Sequence, residues 1–233
     1  MEVSLLSILA LGFILGIKHA VEPDHVIAVS TIASQSKKLS RSSLAGVYWG
    51  IGHTATLFIV GVILILMKNE IPEKWAMSLE FLVGIMLVYL GITTMLSFRK
   101  IKVHTHEQGG APHLHLPPSD DRASSRSRVS YGKSMLIGLV HGLAGSGAMV
   151  LLTMSTVRSA WEGAVYILIF GAGTVAGMLF FTTVIGIPFV LTAGKSRLNT
   201  PLTSLTGIVS TGFGIYYMYN LGVTEGLFKL WMG

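Results

Sequence analysis

Six long apolar runs, separated by shorter polar segments, set the pattern of this sequence. The runs cover residues 4–35, 43–67, 73–98, 134–157, 160–193 and 201–222. Each is long enough for a helix to cross a bilayer, which takes about 20 predominantly apolar residues. We therefore predict an all-α fold, a polytopic membrane helical bundle of about six spans. Its domains are a three-helix repeat over 1–98, a polar loop over 99–133 and a second three-helix repeat over 134–233.

The first apolar run is too long for one straight span. At about 1.5 Å per residue, a helix of this length would reach about 48 Å, against a hydrocarbon core of about 30 Å. Pro23 removes a backbone donor inside the run and disfavours helical dihedrals at Glu22. The sequence thus predicts a break at Pro23, followed by a half-helix that begins near Asp24.

The two halves of the chain resemble each other when they are aligned with a shift of about 122 residues. Residues 16–19 fall on 138–141, and 49–53 fall on 170–174. Because three spans separate equivalent points, the repeats must be inverted, as in many secondary transporters with broken helices. His141 then occupies the position of His19, and we predict a second break there that forms a flexible lining or gate.

The composition is typical of a membrane protein, with 51% hydrophobic and only 12% charged residues. The net charge of +6 does not indicate nucleic acid, because the basic residues lie between the apolar runs. Twelve Lys and Arg residues lie in 36–42, 99–133 and 194–200, against four in the segments of the opposite side. By the positive-inside rule the first group is cytoplasmic and both termini lie outside. The predicted location is the cell membrane.

Two other kinds of chemistry are excluded by the residues present. The chain contains no cysteine, so a thiol-reducing membrane carrier of similar layout cannot be assigned. Ala193-Gly194-Lys195-Ser196 ends like a phosphate-binding loop, but Phe189 stands where its first glycine is required. No ATPase is visible in the sequence, and no ATPase subunit is evident as a partner from this chain.

A cluster of ionisable residues follows the first part of the chain. The eight residues 18–25 contain His19, Glu22, Asp24 and His25. Ionisable groups at membrane depth are costly and usually functional. Imidazole and carboxylate favour a borderline divalent ion such as nickel, cobalt, copper or zinc. We therefore predict that His19, Asp24 and His25 bind a transition metal ion, with backbone carbonyls freed by the break as extra ligands.

A neighbouring span adds another nitrogen donor. His53 lies in the middle of the second run, and we place it in the same site. Glu22 is a weaker ligand candidate, equally able to pair with Lys18. Two alternatives stay open: Asp24 caps the half-helix, or His53 only forms a hydrogen bond across a helix interface.

The segment 99–133 is polar and contains four of the chain's eight histidines, which are His104, His106, His113 and His115. Its composition is typical of disorder, and histidine-rich tracts bind metal loosely. We predict a cytoplasmic loop that is either a solvated connector or a collector of metal outside the translocation site.

These residues resemble the signature of the nickel/cobalt transporter family. Residues 19–25 are similar to its His-Ala-x-x-x-Asp-His motif, and Gly52-His53-Thr54 is similar to its second motif. The segment 138–147 resembles the short, urease-accessory type of nickel permease, which shares the six-span layout. The resemblance covers most of the chain outside the central loop. It implies that His19, Asp24, His25 and His53 recognise the metal.

The predicted function is secondary transport of Ni(II), with Co(II) as second candidate, in the direction of uptake. The metal ion is the substrate and the bilayer the other partner; no enzymatic activity and no resident cofactor are predicted. Export by a related permease is the main alternative. The other is an intramembrane metallohydrolase with Glu22 as base, although the chain contains no His-Glu-x-x-His motif.

Overall fold

Helices make up all the regular structure in the part of the chain that the structure describes. This structure is a computed structural model that describes residues 5–67, 71–97, 130–156 and 159–233, with no side chains described over 146–156. The helices are α1 (Leu5–His19), α2 (Pro23–Ser34), α3 (Leu39–Met67), α4 (Glu73–Leu96), α5 (Tyr131–Thr156), α6 (Ala160–Thr192), α7 (Ser196–Tyr219) and α8 (Leu227–Met232). A π-helical turn, Asn220–Thr224, follows α7. The all-α prediction is confirmed.

The described helices include several that are able to cross a membrane. By length and hydropathy these are α3, α4 and α6, and the bent pair α1 and α2 is a fourth candidate when taken together. The chain is therefore a multi-pass membrane protein. The α5 and α7 helices coincide with the remaining two apolar runs, and the count of six spans stays a prediction. The predicted starts of α3, α5 and α7 are too late by three to five residues, because each helix begins with a polar first turn.

The break at Pro23 is present, as the sequence predicts. The α1 helix ends at His19, and α2 continues from Pro23 at an angle of 57°. Glu22 has a φ of −59° and a ψ of 146°, outside the helical region, as expected before a proline ring. The amides of Val21 and Glu22 donate to the carbonyls of Lys18 and His19 at 3.0 and 3.1 Å. The Lys18 and His19 carbonyls at the break are thus paired, and the expectation that freed carbonyls serve as extra ligands stays a prediction.

Close backbone approaches hold the broken pair within the bundle. The α3 helix packs against α5 and α6, α1 packs against α6, and α4 packs against α7, while α2 contacts α3, α4, α6 and α7. A Cβ at Gly16 would overlap the backbone carbonyl of Phe170, and one at Gly138 would overlap that of Trp49. Small residues at such positions let membrane helices approach closely. These approaches set the end of α1 against α6 and the first half of α5 against α3.

The second break, predicted near His141, is absent. The α5 helix continues from Tyr131 to Thr156 without interruption. It contains no proline, and its Gly142 lies directly against the backbone of His53. Gly138 and Gly142 therefore serve helix packing, and the predicted break is wrong. The segment still lines the cavity, through His141 and Gly145 among others.

Candidate metal site

Four histidines converge at the centre of the described bundle. His25 lies in the first turn of α2, and its ring centroid is 4.5 Å from His19 at the end of α1. The same centroid is 5.2 Å from His53 of α3 and 4.2 Å from His141 of α5. His25, His53 and His141 are at most 3% exposed, whereas the His19 side chain is 18% exposed. Such burial of imidazoles among apolar helices requires polar partners or a ligand.

The helix break is what brings the first two histidines together. In an unbroken helix, two residues six apart would point about 240° apart around the axis. The bend at Pro23 instead sets the His19 and His25 rings edge to face. Phe170 of α6 packs 5.4 Å from the His19 ring, and Trp49 of α3 stacks 6.4 Å from the His25 ring. These aromatic neighbours limit the movement of both imidazoles.

Two carboxylates orient the rings of the broken pair. The Glu22 Oε2 atom lies 2.9 Å from His19 Nδ1, and the Asp24 Oδ1 atom lies 3.1 Å from His25 Nδ1. We assign the proton to Nδ1 in both rings, because a carboxylate only accepts hydrogen bonds. Each Nε2 atom then keeps its lone pair. Carboxylate–histidine pairs of this kind typically lie behind metal-binding imidazoles and raise their basicity.

Asp24 connects two helices of the site. Its Oδ2 atom lies 3.0 Å from His141 Nε2, while Oδ1 also accepts from the His25 amide at 2.9 Å. The N-terminus of α2 has no capping hydrogen bond from its N-cap side chain, which is that of Glu22. Asp24 therefore does more than cap the half-helix, since it ties α2 to α5. The partner of Glu22 is His19, whereas the sequence had suggested Lys18.

Several buried ring nitrogens lack a hydrogen-bond partner. These are His25 Nε2, His53 Nδ1 and His141 Nδ1. His19 Nε2 and His53 Nε2 face each other at 3.1 Å. Because His19 Nε2 carries a lone pair, His53 must donate to it in the absence of an ion, which leaves His53 Nδ1 as an unpaired acceptor. Each unpaired buried group costs about 1–3 kcal/mol, and a cation that accepts these lone pairs would offset that cost.

The donor atoms fall into two overlapping groups of three. One consists of His19, His25 and His53, the other of Asp24, His25 and His141, and the atoms within each group lie within 4.8 Å of one another. His25 belongs to both. A set of imidazoles with one carboxylate matches the preference of Ni(II), Co(II), Cu(II) and Zn(II), whereas Mg(II) and Ca(II) prefer oxygen.

A cavity of about 300 Å³ contains these groups. Its wall includes the four histidines and the exposed Lys18 and Glu22, and it also includes Glu80 of α4 and Tyr217 of α7. Three of its lining side chains are carboxylates, while Lys18 is the single ammonium in that wall. The cavity therefore has an excess of negative charge when its carboxylates are ionised, which favours a divalent cation.

All four predicted site residues, His19, Asp24, His25 and His53, are brought together by the structure. His141 joins them, although the sequence interpretation assigned it to a gate. The signal was present in its alignment with His19. Glu80 and Tyr217 were not predicted from the sequence, although a carboxylate inside an apolar run was a signal for Glu80. The predictions for His104, His106, His113 and His115 lie outside the described residues.

Comparison with known proteins gives one family and one relative along the whole chain. Residues 25–216 match the family described as cytochrome C biogenesis protein transmembrane region. The urease accessory protein UreH of Bacillus sp. (strain TB-90) is 64% identical over 231 residues, covering 99% of both chains. The chloroplast proteins FOR GROWTH AND FERTILITY 2 and 1 of Arabidopsis thaliana are each 26% identical over 88% of this chain, or 54% and 56% of their own length. No solved structure matches the chain.

Proposed function

This chain belongs to the membrane-protein family described as cytochrome C biogenesis protein transmembrane region, and the urease accessory protein UreH is a full-length relative. From these relationships and the histidine cluster, we propose that the chain is a secondary transporter of a divalent transition metal ion. Ni(II) is the proposed cargo, with Co(II) as second candidate. The name of the relative connects it with urease, and the motif in residues 19–25 resembles that of nickel and cobalt transporters. The plasma membrane is the proposed location.

The observation that carries this proposal is the convergence of imidazole rings around the middle of an apolar helix that is long enough to span a membrane. His53 is the central residue of α3, and three other imidazoles surround it. Two of these, His25 and His141, each have a buried, unpaired ring nitrogen, as does His53 itself. Secondary transporters commonly bind their cargo near the midplane, beside a broken helix. The ion would exchange water for ring nitrogens there, and the charges of Glu22 and Asp24 would offset its two positive charges.

Matching helix contacts support the proposal of two inverted repeats. Gly16 lies against the carbonyl of Phe170, and its aligned partner Gly138 lies against the carbonyl of Trp49, which aligns with Phe170. A twofold relation between the halves requires such exchange of partners. Two more pairs of contacts follow the same rule. Gly173 lies against the carbonyl of Phe13, and the equivalent Gly52 lies against that of Met135. Gly84 lies near the carbonyl of Gly214, and the equivalent Gly207 lies near that of Gly91. On this basis, six spans would allow one repeat to move against the other around the cluster.

Metal titration of the purified chain tests the recognition step. Ni(II) and Co(II) are expected to compete for one site, and millimolar Mg(II) is expected not to displace them, because Mg(II) prefers oxygen ligands. Failure of the chain to bind either metal would exclude the proposal. The metallohydrolase alternative makes a different prediction, namely metal-dependent proteolysis that Glu22→Gln abolishes. Uptake rather than export is tested by whether intact cells that produce the chain accumulate Ni(II) or lose it.

Substitution of His141 is expected to weaken metal binding although the sequence motif does not include it. His141→Ala removes one ligand candidate and frees Asp24 Oδ2, so Ni(II) affinity should fall at least tenfold, or about 1.4 kcal/mol. Asp24→Asn should have a similar effect. Both changes break the same contact. The fold loss of Ni(II) affinity in the double variant should therefore be smaller than the product of the two single losses. Calorimetric titration measures this coupling, and purely additive losses would contradict a shared role.

Single cysteines test the proposed orientation, since the chain has no thiol of its own. Ser36 is buried, so the exposed Lys37 is the better cytoplasmic position. Lys37→Cys and Ser119→Cys should react with an impermeant reagent only after the cells are opened, whereas Gly233→Cys should react in intact cells. Ser119 lies outside the described residues. Reaction of position 119 in intact cells would show that the proposed topology is inverted.

A further inference from the structure

One carboxylate in the cavity belongs to neither group of metal-ligand candidates. Glu80 of α4 is partly buried, and the hydroxyl of Tyr217 on α7 donates to its Oε2 atom at 3.4 Å. No Lys, Arg or His among the described residues forms an ion pair with it. An acidic side chain inside a membrane helix is costly and commonly marks an ion pathway. Its single neutral partner leaves Oε1 available for a cation.

The position of Glu80 along its helix separates it from the histidines. It lies seven residues after Glu73, the first residue of α4, which is about 10 Å along the axis. Tyr217 lies in the last turn of α7. The short α8 helix follows soon after that turn and packs against α4. His53, in contrast, is at the centre of α3. Glu80 and Tyr217 thus lie between the histidines and the membrane face where α3 ends and α4 begins.

We propose that Glu80 and Tyr217 form a second cation site, an oxygen-donor site that receives the hydrated divalent ion on its way between that membrane face and the histidines. This inference rests on the proposed transport function. The cavity volume of about 300 Å³ corresponds to about ten waters at about 30 Å³ each, which is room for an ion with a hydration shell. The same wall includes His25, whose buried Nε2 atom is unpaired and is a donor that transition metals prefer to oxygen.

The oxygen site would attract the hydrated ion, and the histidine site would select among divalent metals. Carboxylate and hydroxyl oxygens bind divalent ions with little discrimination, whereas imidazoles select the borderline metals. Glu80 therefore lowers the energy of the ion while it is still hydrated. The four histidines then replace the waters. Loss of Glu80 should raise the barrier in both directions and leave the final bound state nearly unchanged.

Stopped-flow absorption with Co(II) on the purified full chain tests this division, because the visible spectrum of Co(II) reports its ligands. Glu80→Gln is expected to slow association and dissociation each at least fivefold, while the dissociation constant stays within threefold and the spectrum of bound Co(II) is unchanged. Glu73→Gln, the same change at an exposed position of the same helix, should behave like the unmodified chain.

Each other outcome has a defined meaning. Unchanged rates in Glu80→Gln would overturn the second site. A tenfold weaker affinity with an altered spectrum would make Glu80 a ligand of the histidine site and would also overturn it. If the unmodified chain binds no Co(II), the proposed function itself fails.

Should Glu80→Gln not fold, the unmodified chain still provides a test. Millimolar Mg(II), which prefers oxygen ligands, should occupy the Glu80 site and slow Co(II) association at least threefold without lowering the final amount bound. Association rates that do not respond to Mg(II) would contradict the proposal.

Discussion

Replacement of His25 by alanine is expected to reduce Ni(II) affinity at least a hundredfold, or about 2.7 kcal/mol. His25 is the one side chain that both groups of candidate ligand atoms share, so its loss leaves neither group with three members. It also removes the partner of Asp24 Oδ1 in the ring contact. Single alanine variants of His19 and His53 disrupt one group each and should lose about tenfold. Calorimetric titration of the purified variants measures these losses.

Two further variants separate metal binding from folding. His25→Gln keeps most of the side-chain volume and should bind Ni(II) as poorly as His25→Ala. His113→Ala, in the 99–133 segment outside the described residues, should keep the affinity of the unmodified chain. Equal affinity in His25→Ala and the unmodified chain would show that the imidazoles have a structural role and that the metal binds elsewhere.

Gly142→Ala is expected to damage the site from a position that contributes no side chain to it. A Cβ at Gly142 would overlap the backbone carbonyl of His53, so α5 must move away from α3. Overpacking of this kind typically costs about 1–3 kcal/mol. The movement also separates His53 from His141, whose ring centroids are 5.6 Å apart. We expect a lower melting temperature and at least a tenfold loss of Ni(II) affinity in the same protein.

Gly212 provides the matched control for this change. It lies in α7, and a Cβ there meets no atom within 4 Å. Alanine has the higher helix propensity, by about 1 kcal/mol in water-exposed helices, so Gly212→Ala should melt at the same temperature or higher and bind Ni(II) normally. Parallel thermal unfolding and titration decide the matter. If Gly142→Ala behaves like Gly212→Ala, the close contact of α3 and α5 does not position the site.

Local sequence was sufficient for the features that depend on local chemistry. Pro23 determines the helix break through its missing amide and its effect on Glu22, and the structure has the break at that residue. The ionisable residues around it are conspicuous because the neighbouring apolar residues require a membrane. His53 could be placed with them as a further nitrogen donor from a neighbouring span, although a hydrogen bond across a helix interface stayed open as its alternative role.

Features that depend on contacts between distant helices were harder to predict. His141 reaches the site because α5 packs closely on α3, and glycine spacing alone does not distinguish close packing from a break. For this reason the same glycines suggested a break where the structure has a continuous helix. Glu80 gave only a weak signal, since a single carboxylate in an apolar run does not reveal which cavity it lines. Tyr217 gave none.

The measurement that tests the transport claim most directly is Ni(II) flux into proteoliposomes that contain the purified chain. Vesicles with the unmodified chain should accumulate Ni(II) faster than protein-free vesicles, and excess Co(II) should compete with it more effectively than Mg(II). Vesicles with an equal amount of folded His25→Ala should match the protein-free background. Flux through His25→Ala equal to that of the unmodified chain, or no flux through the unmodified chain under either direction of an imposed proton gradient, would contradict the account.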